Sequence, residues 1–124
     1  MDNEEIIIDV VEEIEYISKR YHIKKEIVED ILVGMDVWSY LNGIQDEMGF
    51  EADIAANYMR DGDERVPYDG RVIESEEVAA FIADRSDNNR DVVEAVLLAD
   101  LCYVNDDKEN VELNAQIAEL LGKA

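Results

Sequence analysis

Apolar residues recur along this chain at intervals of three and four. Ile7, Val10, Val11, Ile14 and Ile17 fall on one stripe, while Asp9, Glu12, Glu13 and Glu15 lie largely off it. That is the pattern of a helix burying one face. Asp2 or Asn3 supplies a cap, Glu4 and Glu5 an acidic first turn, and Lys19 and Arg20 a basic end, so the helix is predicted to stop near residues 20–22. A second helix is predicted over residues 24–41, with Ile27, Val28, Ile31, Leu32, Met35, Trp38 and Leu41 as its stripe. Asn42 and Gly43 tolerate left-handed backbone and end it. A third helix is predicted over 44–59 on a weaker stripe of Met48, Ile54, Ala55 and Tyr58, interrupted by Gly49.

Residues 60–71 break the helical rhythm. Asp69 and Gly70 stand between Val66-Pro67-Tyr68 and Val72-Ile73, which reads as a short β-hairpin near 66–73 or a simple turn. Helical spacing resumes at residues 74–75, with Val78, Phe81 and Ile82 on the apolar face. The capping-rich turn Ser86 to Asn89 precedes a long helix to about Val104, striped by Val92, Val93, Val96, Leu97 and Tyr103. A last helix is predicted over 111–121, with Leu113, Ile117, Leu120 and Leu121 inward and Gly122 as its end.

The two long helices echo each other. Shifted by sixty-five positions, "IKKEIVEDILVGMDVW" falls on "NNRDVVEAVLLADLCY". Arg20 meets Arg85, Lys25 meets Arg90, Glu29 meets Glu94, Gly34 meets Ala99 and Trp38 meets Tyr103. Amphipathic helices share an apolar rhythm by default; shared surface charges are a stronger sign. The pattern predicts an internal duplication of a helix–turn–helix unit, in tandem over about 4–41 and 74–104, within one all-α domain. A pair of short helices buries too little surface alone, and doubling supplies the missing cover.

The phrase "SEEVAAFIADRSDNNRDVVEAVLLADLCYV" resembles the helical pattern of small proteins from Gram-positive bacteria and their phages. More distantly it is similar to the two-helix start of HU-type nucleoid proteins. The resemblance implies a helical scaffold. It does not extend to DNA binding, because nothing in this chain matches the sheet and basic arms of the HU-type pattern.

Charge changes the picture more than any motif. Of 124 residues, 32 are Asp or Glu and 11 are Lys or Arg, giving a net charge of −21. With 48% hydrophobic residues the chain is no disordered acidic tail. The charge opposes contact with a nucleic-acid backbone or an anionic membrane surface, and favours a basic protein surface. The same acidity also serves as a solubilising exterior. The opening "MDNEEIII" has acids where a signal peptide needs bases, and no apolar run approaches ~20 residues. A reducing bacterial cytoplasm is therefore expected, with the single cysteine, Cys102, a buried and inert thiol.

Candidate chemistry is sparse. In the helix–turn–helix reading, Lys24 and Lys25 or Asn88, Asn89 and Arg90 would approach DNA, but Glu26, Glu29, Asp30, Asp91 and Glu94 would face phosphates. A DNA-binding regulator is accordingly the third-ranked reading. Asp61 and Asp63 alternate as in a calcium loop, yet Arg65 takes the next ligand place and Val72 stands where the closing acid belongs. His22 reads as a turn residue, with no nucleophile patterned beside it. No glycine-rich phosphate loop is present. No catalytic residue, metal or cofactor is expected.

What remains is a binding surface. Carboxylates on successive helical turns stand ~5.4 Å apart, not far from the ~3.4 Å spacing of phosphates along one strand. Phage inhibitors of restriction, CRISPR or transcription proteins use this likeness, and the resemblance to phage-type sequences implies such a role. The expected partner is a basic surface on a nucleic-acid-binding protein. Expected contacts are Glu12, Glu13, Asp46, Glu47, Asp53, Asp61, Asp63 and Glu64, with Tyr58 and Tyr68 as aromatic anchors. The rival reading is a helical adaptor or homodimer that pairs through Trp38, Tyr40, Leu101 and Tyr103.

Overall fold

The computed structural model describes residues 10–123, with the backbone alone at Ala52. The cap at Asp2 or Asn3, the acids Glu4, Glu5 and Asp9, and Ile7 lie outside the described residues. Six α-helices follow in order: α1 (Val10–Tyr21), α2 (Lys25–Leu41), α3 (Ala52–Ala55), α4 (Ser75–Asp84), α5 (Arg90–Val104) and α6 (Val111–Lys123). A single 3₁₀ turn, Ala56–Tyr58, extends α3. Among the described residues there is no strand, and no helix is long and apolar enough to cross a membrane.

Local chemistry explains the boundaries. His22 takes a left-handed φ of 58° after α1, a conformation open to few side chains. The Ser18 hydroxyl and carbonyl then hold Ile23 from both sides: Oγ donates to the Ile23 carbonyl and the Ile23 N–H bonds the Ser18 carbonyl at 3.1 Å. Asn89 caps α5, its side chain accepting from the Asp91 N–H at 2.7 Å. Asn110 caps α6 in the same manner through the Leu113 N–H at 2.9 Å. Gly122 does not end α6, which continues to Lys123.

One hydrophobic core takes residues from α1, α2, the 3₁₀ turn, α4, α5 and α6. α2 is its hub, touched by α1, α3, α4 and α5. It buries Val33, Gly34 and Val37 besides most of the predicted stripe, so its apolar face is wider than one helical stripe. α1 packs on α5 as α4 packs on α2, and α2 meets α5 directly. α6 closes the free side of α5.

Burial repeats at the sixty-five-residue offset. Ile17 and Ile82, Val28 and Val93, and Ile31 and Val96 are all fully buried pairs. α2 and α5 begin at Lys25 and Arg90, and their preceding residues, Lys24 and Asn89, share nearly the same backbone angles. Arg20 lies by the ring of Tyr16, and Arg85 by that of Phe81, in each case four residues upstream.

The third helix predicted over 44–59 does not form. Residues 42–51 are turns, and helical structure is confined to Ala52–Tyr58. The reason lies on α2. The Asp36 carboxylate accepts the Gly49 N–H at 2.8 Å, the Phe50 N–H at 3.3 Å and the Gln45 side-chain amide at 2.6 Å. Those contacts replace the intrahelical bonds that a continuous helix would need. Residues 66–73 form no hairpin either. The Val66 N–H bonds the Leu41 carbonyl at 2.8 Å, and the Arg65 guanidinium bonds the Tyr40 and Gln45 carbonyls. This lacing passes so close to Gly43, at φ 75°, that a Cβ there would lie 2.5 Å from the Val66 carbonyl oxygen. Asp36→Ala is expected to cost about 1–3 kcal/mol, since it leaves several amide donors without their charged acceptor. A lowered denaturation midpoint, with faster hydrogen exchange at Gly49 and Phe50, is the measurement.

Candidate functional site

The expected contact residues divide by environment. Glu12, Asp46, Glu47, Asp53, Asp61 and Glu64 are exposed. Asp46, Glu47, Asp53, Asp61 and Glu64 belong to the laced region after α2, where Asp46 stands fully in solvent 3.6 Å from Arg65. Tyr68 is exposed as well, its hydroxyl donating to the Arg71 carbonyl at 2.7 Å.

Three other expected contacts are corrected. Tyr58 is only 1% exposed. Its ring fills the space over Gly34, and its hydroxyl donates to Asp30 Oδ2 at 3.0 Å, a bond shared with the Asn88 amide at 2.7 Å. Burial raises its phenol above the ordinary value. Asp63 is half of a bidentate pair with Arg85, at 2.6 and 2.9 Å, and also accepts the Arg60 N–H. The Arg85 hydrogen bonds hold its carboxyl below the usual range. Arg85 reaches on to the Tyr58 carbonyl at 2.9 Å, so Asp63 fastens the loop to α4 and is not offered to a partner. Glu13, the third, sits in the interior at 4% exposure.

Glu13 is the most unusual group among the described residues. It projects from α1 toward α5 and shares a hydrogen bond with Asp100. Its Oε2 is buried with no hydrogen-bond partner. Burial, with the Asp100 hydrogen bond and charge added, pushes the Glu13 carboxyl up to about 9. Burial raises Asp100 too. Two carboxyls in contact cannot both ionise cheaply, so the pair holds one proton at neutral pH. At the offset of sixty-five, Val78 occupies the place of Glu13 and Met35 that of Asp100. Each acid thus falls on an apolar residue at that offset.

The pair opens onto a cleft of about 260 Å³ between α1, α2, α5 and the 45–50 turn. Leu32, Met35 and Phe50 give it apolar walls, and Glu13, Asp36 and Asp100 are the titratable residues among the described ones that line it. A larger groove of about 660 Å³ lies beyond Met35 and Asp100, where Trp38, Leu97, Leu98, Leu101 and Leu120 form an apolar floor and Glu94 and Glu119 carry charge. Sequence periodicity could not single out Glu13, because it steps off the apolar stripe just as a surface acid does. The available signal was the sixty-five-residue offset of the sequence, at which Glu13 falls on Val78.

No group of three or more potential metal ligands stands together among the described residues. Cys102 is buried, and burial raises its thiol. No protein-family model matches the chain, and neither does any curated protein or solved structure.

Proposed function

We propose that this protein is a non-enzymatic acidic binder that occupies the basic, nucleic-acid-binding surface of a target protein, as anti-defence or host-takeover inhibitors do. The observation that carries this reading is the fate of the cations. All six arginines are engaged within the chain. Arg20, Arg65, Arg71, Arg85 and Arg90 pair with carboxylates, and Arg60 bonds the Asn57, Met59 and Arg85 carbonyls. Carboxylates remain in large excess, and those of the laced region stand exposed on a backbone braced by Asp36 and Arg65. A braced array loses little entropy on binding, which favours affinity. Phosphate contact, by contrast, would need clustered free Lys and Arg.

The test is capture of partners from a bacterial lysate at low and moderate salt. The captured protein is expected to bind DNA or RNA, to lose that binding when this chain is added, and to dissociate steeply as salt rises. A Glu47→Gln, Asp53→Asn, Glu64→Gln triple variant is expected to weaken capture at least about tenfold, since each rim charge adds to steering and affinity. Capture indifferent to salt and to these charges rejects the proposal.

The apolar groove favours a second reading, an adaptor or homodimer. Leu101 is 46% exposed there. Of the other residues of that reading, Trp38 is buried, Tyr40 is covered by Arg65, and Tyr103 packs on Tyr16.

A further inference from the structure

We infer that the cleft over Glu13 and Asp100 is a receptor for one cationic side chain, a lysine or arginine that the basic partner inserts between α1, α2 and α5. The inference rests on the proposed function for its choice of partner, and on the geometry of the cleft for its chemistry.

Three features point to an alkyl cation. The walls from Leu32, Met35 and Phe50 match an aliphatic stem. Among the described residues that line the cleft there is no Lys, Arg or His to act as an internal counter-charge. Glu13 is among the lining residues, and its Oε2 is buried without a partner, a costly state for a polar atom unless something completes it. Asp36 is not available for this task, since its oxygens already serve Gly49, Phe50 and Gln45. Asp100 of α5 is the remaining charged neighbour and reinforces the preference for a cation.

Occupation has a definite proton balance. In the free protein the pair holds one proton. When a cation enters, that proton leaves to solvent and the ammonium or guanidinium takes its place between the two carboxylates. One positive charge enters and one departs. Insertion is therefore easier at higher pH. Affinity rises toward the raised Glu13 value and approaches tenfold per pH unit where one proton is released.

The test uses three small probes: n-butylammonium, n-butylguanidinium and the neutral n-butanol. Binding is followed through the methyl resonance of Met35, between pH 6 and 8.5. Both cations are expected to shift that resonance saturably and more tightly as pH rises, and butanol is not. Glu13→Gln is expected to weaken cation binding by about tenfold or more and to abolish its pH dependence, because an amide cannot become a counter-ion. Glu112→Gln, which removes an exposed acid on α6 outside the cleft, is expected to leave it unchanged. The inference is overturned if the cations fail to bind, if butanol binds as they do, or if Glu13→Gln binds them with native affinity and pH dependence. These probes need no target protein, so their failure leaves the acidic-surface reading intact, and salt-indifferent capture would reject that reading without touching the cleft.

Discussion

At pH 8, Glu13→Gln is expected to resist denaturant better than the native chain, by about 1–3 kcal/mol, and to lose that advantage near pH 4. The direction follows from proton counting. Glu13 goes from an ordinary value of 4.5 to about 9 on folding. Between those limits the folded protein keeps a proton that the unfolded chain releases. Raising the pH therefore favours unfolding across the window, and the penalty levels off above it. Below 4.5 both states are protonated and the group is neutral in its effect. Glutamine carries no such proton, so the difference between the two proteins grows with pH. Asp100 shares the native proton, and the glutamine carbonyl inherits an unsatisfied position, which keeps the gain modest. Self-repulsion among the surface carboxylates also varies with pH, but it is common to both proteins and cancels in the comparison. Denaturation midpoints measured from pH 4 to 9 decide the matter. Parallel curves would mean that Glu13 ionises normally inside the fold.

A stabilising substitution at a buried acid has a functional edge. An apolar residue in place of Glu13, beside the buried Ile14 and Ile17, would leave no orphaned oxygen. Retaining an acid with an orphaned oxygen is a local inconsistency of the kind that binding sites carry. The cation-receptor inference and the stability prediction thus make a linked pair. The same substitution is expected to strengthen the free protein and weaken the occupied one.

How much of this was legible in the sequence depends on the range of the interactions. Helices α1, α2, α4, α5 and α6 were readable because each buries a face at helical spacing and most carry a local stop or cap, such as Asn89 or the Asn42-Gly43 pair. The predicted third helix failed because its fate is decided thirteen residues upstream, by Asp36. A carboxylate on an adjacent helix competing for the Gly49 and Phe50 amides leaves no periodic trace. The possible hairpin failed for a similar reason, since the Val66 N–H and the Arg65 guanidinium bond carbonyls at and just after the end of α2. Of the expected contact acids, Glu12, Asp46, Glu47, Asp53, Asp61 and Glu64 lie exposed. Glu13 and Asp63 were misplaced because an acid looks the same in sequence whether it meets water, an arginine or another carboxyl.

Tyr58→Ala is expected to cost about 3–5 kcal/mol, a large part of the ~5–15 kcal/mol that holds a domain of this kind together. As a surface anchor the residue would cost little to remove. Its buried ring instead fills the space beside Gly34 and stacks with Phe81 at a centroid distance of 6.4 Å. Tyr58→Phe keeps the ring and loses only the hydrogen bond to Asp30, which Asn88 still contacts; about 0.5–1.5 kcal/mol is expected. Gly34 makes the argument sharper. A Cβ built there lies 2.8 Å from the Tyr58 ring and 2.9 Å from Ile82, so Gly34→Ala overpacks the native core and is expected to cost about 1–3 kcal/mol. In the Tyr58→Ala background the ring is gone, and the same methyl enters partly empty space. The two substitutions together are therefore expected to cost less than their sum, with a coupling of about 1–2 kcal/mol. Urea midpoints for the four proteins of that cycle measure it. Strict additivity would mean that the Tyr58 ring does not oppose a methyl at Gly34.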